Sequence, residues 1–130
     1  MKVAPPNSKV CSAGGKTFLA PSNFNPVAIE SAGRRYGLPG ANAMVGQGGT
    51  YDFQRVQNSP TDTTFYSRYT PVANLAVGIY LSGAGYSRSS ADRISDTFAS
   101  AFSSNGPTAE QREFRNLAYD IAEGKAKISC

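Results

Sequence analysis

The sequence predicts a mainly α domain of the α+β class, with four helices and a small β-hairpin inserted between helix one and helix two. Three observations support this fold class. The 130 residues are enough for one domain with one core. The 40% of apolar and 17% of charged residues are typical of chains that fold. Helix-initiating pairs, in which a proline directly follows an N-cap residue, occur at two places.

Residues 1–23 and residues 24–130 differ in composition. The first segment has two adjacent prolines, a Gly-Gly pair and few large apolar residues, so we expect an N-terminal arm draped on the domain. It lacks the apolar stretch of a signal peptide, and no run in the chain approaches the roughly 20 apolar residues of a membrane span. Residues 24–130 are expected to form a single catalytic domain without a membrane span.

Helices one and two begin at the two helix-initiating pairs. Asn25-Pro26 opens helix one, which is expected to end at Gly37, and Thr70-Pro71 opens helix two. Helix two runs through Leu81 and is apolar nearly all round, which predicts a place in the core. Residues 46–56 combine glycines with aromatic and β-branched residues, and the hairpin is predicted there.

Helices three and four are predicted from apolar residues at helical spacing. Ser89 or Ser90 is expected to cap helix three. Thr108 and Gln111 make a capping box for helix four, and Gly124 is its stop signal. The acidic residues of this region alternate with arginines and are predicted to be solvated: Asp92, Asp96, Glu110, Glu113, Asp120 and Glu123.

The chain contains no histidine, which excludes several classes of active site. A Ser-His-Asp triad, a Cys-His protease, a two-histidine ribonuclease and a histidine-rich zinc site all require that side chain. We predict no metal and no cofactor. The net charge of +4 favours encounter with a polyanion, such as nucleic acid or an anionic wall polymer. The alternative is a basic domain that merely stays soluble.

Glu30 and Asp52 stand apart from the other acidic residues. Glu30 lies in an otherwise uncharged first turn of helix one, and Asp52 lies between two aromatics directly after a glycine pair. A helix followed by a glycine-rich segment can fold back so that both carboxyls line one cleft. Two carboxyls in different environments can divide the roles of acid and nucleophile, as glycoside hydrolysis requires. In the alternative interpretation, Glu30 pairs with Arg34 and Asp52 pairs with Arg55.

Residues around this pair are candidates for substrate binding. Aromatic side chains stack on sugars and on bases, although such clusters are more often core. An arginine orients an anionic group, and an asparagine on an apolar helix needs a polar partner. The substrate-binding candidates are Tyr51, Gln54, Arg55, Tyr69 and Asn74.

Cys11 and Cys130 are the two cysteines and lie near opposite ends of the chain. A disulfide between them would close a loop of nearly the whole chain and would indicate an oxidising compartment. Two unrelated thiols in a cytosolic protein are the alternative.

The run from Ala43 to Arg55, followed by residues 69–84, resembles the type 44 polymorphic toxin domain. Its Gly-Gly-x-aromatic-Asp-aromatic-Lys motif matches residues 48–54 with Asp52 as the motif aspartate, while Gln54 replaces the motif lysine. Asn74 and Gly78 match the second motif, and Glu30 matches the upstream acid. The resemblance implies a secreted toxin used between bacteria, a cognate immunity protein as partner, and an RNase activity predicted for the family.

Three functions remain open at this point. The first, which we favour, is a lysozyme-like hydrolase of peptidoglycan in the periplasm of the target cell, with Glu30 as general acid and Asp52 as nucleophile or electrostatic stabiliser. The second is a toxin RNase in the cytoplasm, using arginine, tyrosine and aspartate side chains. The third is a noncatalytic binding module.

Overall fold

A computed structural model describes residues 7–46, 49–54, 66–102 and 109–130. The mainly α architecture with one small antiparallel hairpin is confirmed. A single turn of 3-10 helix precedes α2, and another precedes α3. The elements in chain order are β1 (Ser8–Ala13), β2 (Lys16–Pro21), α1 (Pro26–Tyr36), α2 (Ala41–Val45), α3 (Thr70–Gly83), α4 (Arg88–Phe102) and α5 (Ala109–Ala122).

The hairpin lies before the first helix and not between helices one and two as predicted. Gly14 and Gly15 have φ values of 57° and 77°, and two central residues with positive φ suit the tight turn that joins twisted strands. The strands pair from Ser8 with Pro21 to Ala13 with Lys16. One face of the hairpin enters the core through Cys11, Ala13, Phe18 and Ala20. Within the segment predicted as an arm, the two strands therefore pack onto the domain.

Residues 49–54, where the hairpin was predicted, form turns against α2. The backbone N–H groups of Thr50 and Tyr51 donate to the carbonyls of Ala43 and Met44, at 3.1 and 2.6 Å. The last carbonyl groups of a short helix have no partner within the helix, and these two N–H groups bond them. Residues 50 and 51 therefore complete the end of α2 and do not form a strand. Residues 47, 48, 55 and 56 of the predicted hairpin lie outside the described residues.

Helix α3 is the centre of the core and packs between α1 and α5. Its buried large side chains are Val72, Leu75, Ile79, Tyr80 and Leu81. Glycines let the backbones approach closely. A Cβ on Gly33 of α1 would lie 2.0 Å from the carbonyl oxygen of Tyr80, and one on Gly78 would lie 2.6 Å from that of Arg115. The predicted core helix is therefore confirmed.

The predicted helix boundaries agree closely at α1. The side chain of Asn25 accepts from the backbone N–H groups of Val27 and Ala28, at 3.0 and 3.3 Å, and the helix ends before Gly37. Helix α5 ends two residues before Gly124, whose φ is 77°.

Two predicted caps differ from the structure, and a third lies outside the described residues. Helix α3 includes Thr70 and has no side-chain cap. For α4, Ser87 is the capping residue in place of Ser89 or Ser90, because its hydroxyl accepts from the Ser90 backbone N–H at 3.2 Å. Thr108, predicted to cap the fourth helix, is not among the described residues.

The acidic residues of α4 and α5 are not all solvated as predicted. Arg115 is 3% exposed and reaches Asp96 at 3.0 Å and Asp92 at 3.6 Å. Burial acts to raise the pKa of Asp96, but hydrogen bonds from Arg112 and Arg115 outweigh it and hold that pKa below its ordinary value. Asp96 therefore belongs to the interface between the helices, which sequence alternation alone could not distinguish from a solvated face.

Across the described ranges, none of the helices combines the length and the apolar character needed to cross a bilayer.

Candidate functional site

Cys11 and Cys130 form a disulfide with an S–S distance of 2.05 Å. Cys11 is buried in the hairpin, and the C-terminal segment reaches it along β1. Ser129 exchanges two backbone hydrogen bonds with Ser12, at 2.7 and 2.9 Å, on the edge of β1 that does not pair with β2. The predicted pairing is confirmed, and the C-terminus is fixed to the first strand both covalently and by the backbone.

Asp52 lies in a turn between two half-buried aromatic residues. Its backbone N–H donates to Gly49 at 3.2 Å. The rings of Tyr51 and Phe53 are 6.0 Å apart, and Phe53 packs edge-on against the buried Phe24 at 5.8 Å. The turn therefore packs through Phe53 on Phe24, two residues before α1. Tyr51, Asp52 and Phe53 keep part of their surface in solvent.

Gln54 and Asn74 meet at the start of α3 through Thr70. The Thr70 hydroxyl donates to Oε1 of Gln54 at 3.1 Å, and Nδ2 of Asn74 donates to the Thr70 carbonyl at 2.9 Å. All three side chains are half-buried. Asn74 thereby finds the polar partner that the sequence required of it, and two predicted substrate-binding residues are brought together.

Tyr69 connects this region to the hairpin. It is 3% exposed, and its hydroxyl contacts the Ser8 hydroxyl at 2.7 Å and donates to the Asn7 carbonyl at 3.1 Å. The Tyr66 ring packs against it at 5.6 Å. Tyr69 was predicted to bind substrate, but its burial makes it a support for the half-exposed Tyr66.

Glu30 lies on the surface of α1 in an ion pair with Arg34. Its Oε1 is 2.6 Å from the Arg34 guanidinium, and the Glu30 side chain is 47% exposed. This is the pairing that the sequence offered as the alternative to a catalytic role.

The described contacts do not bring Glu30 and Asp52 together. The Glu30 carbonyl lies against the C-terminal end of α3, where a Cβ on Gly83 would be 2.2 Å away. Gln54, two residues after Asp52, bonds Thr70 at the other end of α3. These two ends are about 20 Å apart at 1.5 Å per residue. A two-carboxylate cleft therefore receives no support from the contacts of these segments.

Arg55, the remaining predicted substrate-binding residue, lies outside the described residues. Among the exposed arginines, Arg35 stacks on Tyr36 at 5.3 Å.

A cavity of about 50 Å³ lies between α2, α3 and α4 and is almost entirely apolar. This volume is too small for a sugar ring. Its wall includes Ser95, whose buried hydroxyl has no hydrogen-bond partner in the described structure. The lining residues are Ala41, Asn42, Val45, Gly46, Val77, Leu81, Ile94 and Ser95, so the candidate site is a separate surface region.

No group of three potential metal ligands among histidine, cysteine, aspartate and glutamate occurs within the ranges that the structure describes.

Two residues of the candidate region carried no functional signal in the sequence. Thr70 was interpreted as a helix cap, yet it joins the amides of Gln54 and Asn74. Phe24 was assigned no role, yet it supports Phe53. The Thr70–Gln54 and Phe24–Phe53 contacts join segments 16 or more residues apart, which no local pattern reports, whereas Asn74 reaches Thr70 within one helical turn.

Comparison with protein families, with curated proteins and with solved structures finds no match to this chain.

Proposed function

We propose that this chain is an antibacterial effector domain that acts outside the cytoplasm on the glycan strands of peptidoglycan. The observation that carries the proposal is the disulfide between Cys11 and Cys130. Disulfides persist in oxidising compartments such as the periplasm and are rare in the cytosol. The bond therefore favours the cell wall over cytoplasmic RNA as the target. The resemblance to a polymorphic toxin domain supports the antibacterial role but not the choice of the wall, and it adds an immunity protein as the expected partner.

The surface around Asp52 suits a glycan. The half-buried rings of Tyr51, Phe53 and Tyr66 offer apolar faces on which sugar rings stack, and Gln54 offers an amide for hydroxyl or acetamido groups. The net charge of +4 draws the domain to anionic wall polymers.

The proposal assigns the acting carboxylate to Asp52. Glycosidases that use two carboxylates hold them about 5 to 10 Å apart. Glu30 sits in an exposed ion pair at the far end of α3. We therefore retain Asp52 as nucleophile or electrostatic stabiliser and leave Glu30 in its structural pair with Arg34. The proton for the leaving oxygen must then come from another acid, and we assign that role to no residue of the described ranges.

Purified sacculi provide the direct test. The oxidised chain should release soluble muropeptides, and Asp52→Asn should not. An exposed residue outside the proposed site supplies the control: Arg93→Gln on α4 should release muropeptides at the unaltered rate. Intact sacculi together with degraded RNA in a parallel digestion would replace the proposal with the RNase function. Toxicity that survives Asp52→Asn would indicate a noncatalytic module.

A further inference from the structure

Thr70 fixes the orientation of two side-chain amides. A backbone carbonyl only accepts hydrogen bonds, so Asn74 must turn its NH₂ group toward the Thr70 carbonyl, and its Oδ1 is left as the acceptor of that amide. Gln54 receives the Thr70 hydroxyl on Oε1, which leaves its NH₂ group as the donor. The two amides therefore bracket Thr70 with one donor group and one acceptor group.

A donor and an acceptor in this arrangement are complementary to a secondary amide. The carbonyl of such a group accepts from the Gln54 NH₂, and its N–H donates to Oδ1 of Asn74. A single sugar hydroxyl can also donate to one side chain and accept from another, but an acetamido group presents its N–H and its carbonyl on separate atoms and adds a methyl group for an apolar wall.

An apolar wall adjoins the amides. The backbone N–H of Tyr66 donates to the Gln54 carbonyl at 2.6 Å, which holds the two residues side by side. The Tyr66 ring is half-buried and packs on Tyr69 at 5.6 Å. It provides an apolar face for a methyl group or a sugar ring.

We propose that Gln54 and Asn74 recognise the N-acetyl group of a 2-acetamido sugar, with Tyr66 as the apolar wall. This inference rests on the proposed function for its choice of a glycan. It makes Gln54 and Asn74 the residues that decide which sugar is bound, and it gives no chemical step to either.

The test uses two tetrasaccharides with the same β-1,4 linkage. Tetra-N-acetylchitotetraose carries an acetamido group at each C2, and cellotetraose carries a hydroxyl there. In calorimetric titrations of the full oxidised chain, the acetylated sugar should bind at least about tenfold more tightly, as expected for one hydrogen-bonded group. Equal affinities would overturn the proposal without any variant.

Variants identify the residues responsible. Gln54→Glu keeps the shape of the side chain but offers acceptors only, so it should weaken binding of the acetylated sugar about tenfold, and Asn74→Leu should do the same. Arg93→Gln lowers the net charge by the same one unit at an exposed position outside the proposed site and should leave that affinity unchanged. An unaltered affinity in Gln54→Glu would overturn the assignment.

A short N-acetylated alanyl peptide separates the two sources of secondary amides in the wall. Peptide binding as tight as that of the acetylated sugar would assign the site to the peptide stems and overturn the proposal. Muropeptide release is measured independently, so a chain that binds the acetylated sugar but leaves sacculi intact would refute the proposed hydrolase and not this inference.

Discussion

The guanidinium of Arg115, 3% exposed, lies 3.0 Å from the carboxylate of Asp96 and joins α5 to α4. Arg112 donates to the other oxygen of the same carboxylate through two nitrogen atoms. Because Arg115 is shielded from water, its charge depends on Asp96 for compensation.

Removal of the Asp96 charge should destabilise the fold. Asp96→Asn leaves the buried guanidinium with only the more distant Asp92, and we expect the free energy of unfolding to fall by about 2 to 3 kcal/mol, below the range for fully buried pairs because Asp96 is partly exposed. Urea unfolding measures the change. Glu113→Gln, which breaks an exposed pair with Lys16, is the control and should cost less than about 1 kcal/mol. Equal losses in the two variants would contradict the interpretation.

The same carboxylate should make stability depend on acidity. The pKa of Asp96 is held below its ordinary value of 3.8, so its stabilising effect is complete above that value and is lost as the pH falls through the lower pKa of the folded state. The stability difference between the natural chain and Asp96→Asn should therefore be constant near neutrality and shrink below about pH 4. If the stability difference between the two chains instead grew as the pH fell, the predicted direction of the pH dependence would be wrong.

The close contact between α1 and α3 should not tolerate a methyl group. In Gly33→Ala the new Cβ would lie 2.0 Å from the Tyr80 carbonyl oxygen, so the two helices must separate. We expect a loss of about 3 kcal/mol in unfolding free energy, at the upper end for overpacking. Ser31→Ala, an exposed position on the same helix, should be neutral or slightly stabilising. Thermal unfolding of both variants measures these changes. An unaltered melting temperature in Gly33→Ala would argue against direct contact between the backbones of α1 and α3.

Reduction of the disulfide should lower stability substantially. The Cys11–Cys130 bond spans a sequence separation of 119, and closure of a loop of this length corresponds to about 5 kcal/mol in the chain-entropy model. Thermal unfolding with and without dithiothreitol gives the comparison. The Cys11→Ala, Cys130→Ala double variant should have the melting temperature of the reduced chain, and dithiothreitol should not change it. Ser129→Ala keeps both cysteines and should respond to the reductant as the natural chain does. Identical melting of the oxidised and reduced chains would contradict the prediction.

Loss of the Asp52 carboxylate and loss of the Glu30 carboxylate should affect muropeptide release differently. Asp52→Asn should reduce muropeptide release at least about a hundredfold, within the range for loss of an acting carboxylate. Glu30→Gln loses only an exposed ion pair and should retain activity within about twofold. Equal and severe losses in both variants would restore the two-carboxylate mechanism.

Local signals predicted much of the fold. Asn25-Pro26 starts a helix and Gly124 ends one, and each acts only on residues close to it in the sequence. The structure has those helix ends where they were expected. The hairpin was misplaced because Gly14-Gly15 was interpreted as irregular, although alternation on either side buries Cys11 and Phe18. A glycine pair fits both a loop and a hairpin turn, and only the pairing of the flanking residues distinguishes them.

The candidate site was less accessible to sequence reasoning. Tyr51, Gln54 and Asn74 were identified as candidates from residue type, and Gln54 and Asn74 do meet at Thr70. The burial of Tyr69 and of Arg115 depends on contacts with other segments, which composition and spacing cannot report.

The disulfide between Cys11 and Cys130 closes the chain between these two residues into a ring. A ring cannot pass single-file through a narrow pore, because two strands would have to enter side by side. Any route that threads this chain lengthwise across a membrane must therefore deliver it in the thiol form. A chain delivered in this way would close its ring only after it meets an oxidant.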